Sequence, residues 1–209
     1  MNAMRSGVLM LWLATCVATC VATSHAAAAP LTCSCALTQA LRTNGRAEAA
    51  LRYALPALDG APRTVRATLA LEPPVFARLD VAATGEKLVV RSDGGEWLQP
   101  QAHQVLHFRA AQAAAPLRWW RVLLGDEALA RERRSGDGYV LTLIDSHGAA
   151  LDSARVWLDR KGMPSRLEVG DGGGGMTTYR LSGWRMRPGR GAAAFRLSTP
   201  AGYESVELP

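Results

Sequence analysis

From Val65 onward the chain repeats one pattern that leaves few folds open to it. In VRATLALEPP, Val65, Ala67, Leu69 and Leu71 fall on one side and Arg66, Thr68 and Glu72 on the other, the period-two signature of a half-buried strand. The alternation returns in ARLDVAA, KLVVRS, EWLQP, QVLHFRA, YVLTLID, ARVWLD, SRLEVG, TTYRLSGW and AFRLSTP. Turn signals separate these runs: Thr84-Gly85, Asp93-Gly94-Gly95, Gly136-Asp137-Gly138, Ser146-His147-Gly148, Lys161-Gly162 and the stretch Gly170 to Gly175. Short strands with hairpin-length joins predict a mostly antiparallel meander. A sheet of that many strands cannot stay flat, and right-handed twist coils it toward a barrel.

Two stretches break the pattern. CALTQALRTNGRAEAALRYALPAL is rich in Ala and Leu, with Leu37 and Leu41 four apart, and predicts one short amphipathic helix that Asn44-Gly45 interrupts. AAPLRWWRVLLGDEALARE, residues 114–132, reads as helical. Pro116 suits its first turn, Leu117, Trp120 and Leu124 share a stripe, and Gly125 divides it. The predicted fold class is therefore mainly β: an unclosed antiparallel β-barrel, or half-barrel, whose mouth is covered by an N-terminal helix and a central helical lid.

The first residues follow a different logic. Arg5 precedes an apolar run from Gly7 to about Ala22, and small residues Ala26 to Ala29 follow. This order predicts a secretory signal peptide over 1–29 and export of a single domain over 30–209. Cys16 and Cys20 lie in the apolar run, where LATC and VATC resemble a lipobox with Thr15 and Thr19 poorly suited to it. Cys33 and Cys35 remain as a C-x-C pair, awkward for an internal disulfide and lacking further ligands for zinc, so they read as small residues at the start of the first helix. The formal charge of +6 comes almost wholly from Arg, with only two Lys. These Arg residues are scattered along the alternating runs and form no tract, which argues against a nucleic-acid footprint.

RSDGGEWLQPQAHQV gathers Ser92, Asp93, Glu96 and His103 within a dozen residues. Proximity in sequence does not make a triad, Ser92 lies outside any G-x-S-x-G elbow, and Asp93-Gly94 suits a type I′ hairpin loop. His103 and His107, four apart on a predicted strand, stand about 13 Å apart, too far to share a metal. GDGGGG lacks the Lys-Ser/Thr of a phosphate loop and reads as a hairpin loop. No catalytic residue, metal or cofactor is expected. Adjacent Trp119 and Trp120 point about 100° apart on a helix and cannot both enter one narrow stripe, so one is expected in the core and the other at the barrel mouth or partly exposed.

Three stretches then carry a resemblance: VVRSDGGEWLQPQAHQV, AAPLRWWRVLLGD and FRLSTPAGYESVELP. Together they resemble the LolA family of periplasmic lipoprotein carriers and its LolA-like relatives. The matching positions are Pro74, Phe76, Ser92, Asp93, Gly94, Trp97, Pro100, Gln104, Val105, Leu123, Leu124, Gly125, Asp126, Phe195, Pro200 and Gly202, spread over Pro73 to Glu207. The resemblance implies a non-enzymatic, monomeric periplasmic protein that shields acyl chains in an apolar cavity between an inner-membrane exporter and an outer-membrane acceptor. The cargo implied is an acylated lipoprotein or another lipid. The expected ligand-binding residues are Phe76, Trp97, Trp119, Trp120, Leu123, Leu124 and Trp157. Where the family carries an Arg that holds the lid, this chain has Glu72, which cannot donate those hydrogen bonds. Arg118 or Arg121 then stand as alternative lid contacts. Two other readings follow: a specialised carrier of another lipid or of a polyene or pigment precursor, and a membrane-tethered acceptor or envelope sensor acylated at Cys16 or Cys20.

Overall fold

The structure is a computed structural model that describes residues 31–55, 63–109, 115–124, 130–144, 150–170 and 176–208. The signal peptide, Trp12, Gly125, Asp126 and the Ser146-His147-Gly148 turn lie outside the described residues, as do the side chains of Leu117 and Arg118. Helix α1 (Cys35–Asn44) leads into β1 (Arg46–Leu55), β2 (Arg63–Glu72), β3 (Phe76–Asp80), β4 (Lys87–Val90), β5 (Gly94–Gln99) and β6 (Gln104–Arg109). Helix α2 (Ala115–Leu123) follows, then β7 (Ala130–Ser135), β8 (Gly138–Ile144), β9 (Ala150–Leu158), β10 (Pro164–Gly170), β11 (Met176–Arg187) and β12 (Glu204–Glu207).

Among the described residues all the strands join one 12-stranded sheet in the order β12-β6-β5-β4-β3-β2-β1-β11-β10-β9-β8-β7, whose two ends, β12 and β7, do not pair. The half-barrel expected from periodicity is therefore present. Two antiparallel meanders, β1 to β6 and β7 to β11, meet where β1 pairs with β11. Only β12 runs parallel to its neighbour, β6.

Three strands depart from the sequence reading. Arg46–Leu55 has strong helix formers, yet Ala47, Ala49, Leu51 and Tyr53 alternate inward against Leu71, Leu69, Ala67 and Val65 of β2. Pairing on both edges overrides intrinsic propensity there. Gly45 makes the reversal from α1 into β1: its φ is +93°, and a Cβ would stand 2.7 Å from the backbone nitrogen of Gly189. Ala130–Ser135 is β7, so the helical reading of residues 114–132 ran too far. AFRLSTP, residues 194–200, read as a strand, instead begins in the 3₁₀ turn Ala192–Phe195 and holds no strand, and the final strand is β12.

The register sorts side chains into an inner and an outer face. Inward lie Leu51, Leu69, Leu71, Val90, Phe108, Leu141, Val156, Leu167 and Leu181, which form one core with α1 and α2. Outward, the segment after β11 is tied back onto β2 to β5. Phe195 stacks on Phe76 at 5.1 Å, Arg78 donates to the Ala194 carbonyl at 3.2 Å, and Arg91 donates to the Phe195 carbonyl at 3.2 Å. Two buried carboxylates complete the attachment. Glu72, 6% exposed, accepts the N–H groups of Arg190 at 2.9 Å and Gly191 at 2.7 Å. Glu96, 7% exposed, accepts from Arg91 at 2.8 Å and from the Leu197 N–H.

Candidate functional site

The inner face is a trough, and α2 lies in it. This helix touches β3 in one meander, β10 in the other, and the turn before α1. Trp119 is 0% exposed, Trp120 4%, and Val122, Leu123 and Leu124 are also buried. Both tryptophans are thus enclosed, which removes the alternative of one core and one partly exposed tryptophan. A helix resting on a sheet buries one stripe, whereas a helix set into a concave sheet is surrounded on most sides. The Trp119 indole N–H has no hydrogen-bond partner among the described residues. An unmatched buried donor costs about 1–3 kcal/mol, which weighs against the closed position of α2.

Trp120 meets Tyr179 edge-on at 5.8 Å, and Tyr179 meets Tyr53 at 5.4 Å, so an aromatic row runs from the lid toward one end of the trough. Burial, followed by the neighbouring Tyr53, pushes the Tyr179 hydroxyl up to about 12. Burial, followed by the charge of Glu86, also raises that of Tyr53. Beyond Tyr53 a pocket of about 210 Å³ opens, lined by Val65, Val81, Ala83, Glu86 and Gln101 among others. This is smaller than the ~300–1,000 Å³ of typical ligand sites. That pocket alone is too small for a long acyl chain.

The structure divides the expected ligand residues. Trp119, Trp120 and Leu123 come together on α2, with Leu124 directly after it, and Trp97 lies on the inner face of β5, packed against the core and in register with Leu88 and Leu106. Gly95 leaves the space beneath which the Phe108 ring lies, since a Cβ there would stand 2.3 Å from that ring. Phe76 and Trp157 lie elsewhere. Phe76 alternates with the inward Ala77 and packs outward on Phe195. Trp157 follows the inward Val156, pairs with Arg166 and donates to Asp137 at 3.0 Å on the outer face. Glu72 is also outward, so it grips the C-terminal segment and does not face the lid. Sequence reading missed Tyr53, Tyr179 and Trp184 as inner-face aromatics. Their signal was the alternation in β1 and in β11, where a bulge shifts the phase of the pairing.

The other polar candidates take structural positions. The Arg91 N–H donates to the Gly94 carbonyl at 2.7 Å, closing the hairpin around Ser92 and Asp93, one residue earlier than the expected Asp93-Gly94 loop. His103 sits in the turn before β6 and packs edge-on against Tyr203, while His107 meets the Ser205 hydroxyl at 2.9 Å. Cys33 is buried and Cys35 exposed, both as free thiols. Desolvation, then nearby Glu132, pushes the Cys33 thiol strongly up.

No family model and no curated protein matches the chain in sequence. Solved structures do match. A LolA superfamily protein from Nitrosomonas europaea aligns over 79% of this chain and 96% of its own, with a TM-score of 0.51 and 11% identity. A DUF1329 family protein from Desulfovibrio piger aligns over 79% and 95%, with a TM-score of 0.51 and 12% identity. The chain has a LolA-like fold. At these identities the likeness concerns the fold alone.

Proposed function

We propose that this protein is a non-enzymatic periplasmic carrier that holds acyl chains in the trough now filled by α2 and moves lipoproteins from the inner to the outer membrane. The observation that supports it is the enclosed apolar helix. Trp119, Trp120, Val122, Leu123 and Leu124 all occupy the concave face. Exposing five such side chains costs on the order of 8–15 kcal/mol at ~1.5–3 kcal/mol each. A saturated chain of about sixteen carbons returns ~13 kcal/mol at ~0.8 kcal/mol per methylene. The exchange of lid for lipid is near balance, which a carrier needs in order to load and unload. An enzyme has no such requirement. The LolA superfamily likeness supports the same reading at the level of fold.

Mass spectrometry of organic extracts from natively purified protein tests the proposal. Acyl species near one equivalent, displaced by added acylated peptide, are expected. Protein that carries no acyl species and also fails to bind the acylated peptide would sink it. A polyene or pigment precursor in the extract would move the reading to a specialised relative.

A further inference from the structure

The Arg residues that are scattered in sequence are aligned by the fold. On the outer face Arg66 pairs with Arg52, Arg52 with Arg180, Arg180 with Arg166, and Arg166 with Trp157. Five adjacent strands thus carry one row of four guanidinium groups that ends on an indole, with Arg166 centred 4.4 Å over the Trp157 ring. Arg155 stands one register step away, opposite Glu168. Arg166 is paired with Glu168. Arg52, Arg66 and Arg180 are exposed and have no carboxylate partner among the described residues.

Like charges directly opposite on neighbouring strands are unfavourable. Strands lie about 4.8 Å apart, inside the ~8 Å screening length at physiological salt, so each guanidinium feels the next. Folding alone gives no reason to keep three such pairings in succession. An anionic surface spanning about 14 Å would relieve all of them at once.

We propose that this row is a docking surface for the anionic headgroups of a lipid bilayer. Charge complementarity selects an anionic occupant, and the neighbouring side chains select a bilayer over a protein. Beside Arg52, Arg66 and Arg180 stand only small residues, Ala50, Ala54, Thr64, Thr68, Thr178 and Ser182, while Glu168 stands beside Arg166. A stable protein interface concentrates its energy on a few aromatic or Arg anchors seated in well-packed pockets. Of the large hydrophobic residues exposed among those described, Leu208 lies near the C-terminus and Met176 lies on the row's own face at the start of β11, four residues from Arg180. Laterally mobile headgroups need no anchor and can match a straight row. The row lies on the face opposite the trough, and Arg66 at its end also lines the pocket beyond Tyr53.

Vesicle co-sedimentation tests this with phosphatidylcholine vesicles containing about 30% phosphatidylglycerol, against phosphatidylcholine alone, at low and high salt. The wild-type chain is expected to bind the anionic vesicles in a salt-sensitive way and to leave the neutral ones. With each row arginine contributing about fivefold, Arg52→Gln with Arg180→Gln should weaken binding about 25-fold. The same double variant should melt no lower than wild type, because it relieves repulsion. A charge-matched control off the row, Arg42→Gln with Arg160→Gln, should bind within about twofold of wild type. Equal loss in both double variants would reduce the effect to net charge and overturn the proposal. So would no anionic-vesicle binding, or row-dependent binding to polyglutamate or duplex DNA without binding to vesicles.

Discussion

Replacing Glu72 with Arg restores the residue type that the LolA resemblance places there, and it separates two accounts of that position. If Glu72 stands where a lid contact belongs, Arg should tighten the closed lid and leave the fold intact. The structure gives Glu72 a different role. Its carboxylate, 6% exposed, accepts the N–H groups of Arg190 and Gly191 at 2.9 and 2.7 Å. Hydrogen bonds to a charged group are worth about 1.5–3 kcal/mol each. Residues 189–191 are exposed, so the freed N–H groups regain water, and Glu72→Ala should cost about 2–3 kcal/mol in total. Arg carries no acceptor and brings a cation against two donors, so Glu72→Arg should cost more. Glu72→Gln, with one acceptor oxygen, should fall between wild type and Ala. At about 2–4 °C per kcal/mol for a chain of this size, the Ala variant should melt about 4–12 °C lower. Thermal unfolding followed by circular dichroism reads the series, and acyl-peptide titration reads the lid. An Arg variant as stable as wild type, with altered acyl affinity, would refute the assignment.

Leu123→Ala removes a buried α2 side chain and should lower stability by about 2–5 kcal/mol in urea unfolding, whereas a loosely seated helix would show less than about 1 kcal/mol. Tyr179 has an upward-shifted folded pKa, about 12 against 10.0, so the folded state favours its protonated form. Its contribution should hold below pH ~10 and fade as pH rises toward about 12, and Tyr179→Phe should flatten that loss of stability. Of the pair Cys33 and Cys35, a thiol reagent should label Cys35 at once and Cys33 only on unfolding, since Cys33 is buried with its thiol strongly raised.

Alternation carried the fold because a half-buried strand writes its inner face directly into the sequence. The same rule located Leu69 and Leu71 on the inner face. It did not locate β1, where Ala and Leu are good residues for a helix and only pairing with β2 and β11 settles the matter. Phe76 and Trp157 looked like ligand residues by type, yet each sits one residue out of phase with an inward neighbour, Ala77 and Val156. Periodicity already held that information, and residue type overruled it. The enclosure of both Trp119 and Trp120 depends on the curvature of the whole sheet, which no local window contains. The arginine row is legible only through register, because its members come from strands far apart in sequence.

Whether α2 occupies the acyl-chain site can be read from amide hydrogen exchange across residues 115–124. On saturation with a diacylated peptide, exchange in α2 should rise at least about tenfold, an opening of local structure, while β1, β2 and β11 stay protected. Ligand bound at saturation with α2 as protected as before would mean that acyl chains do not enter the trough.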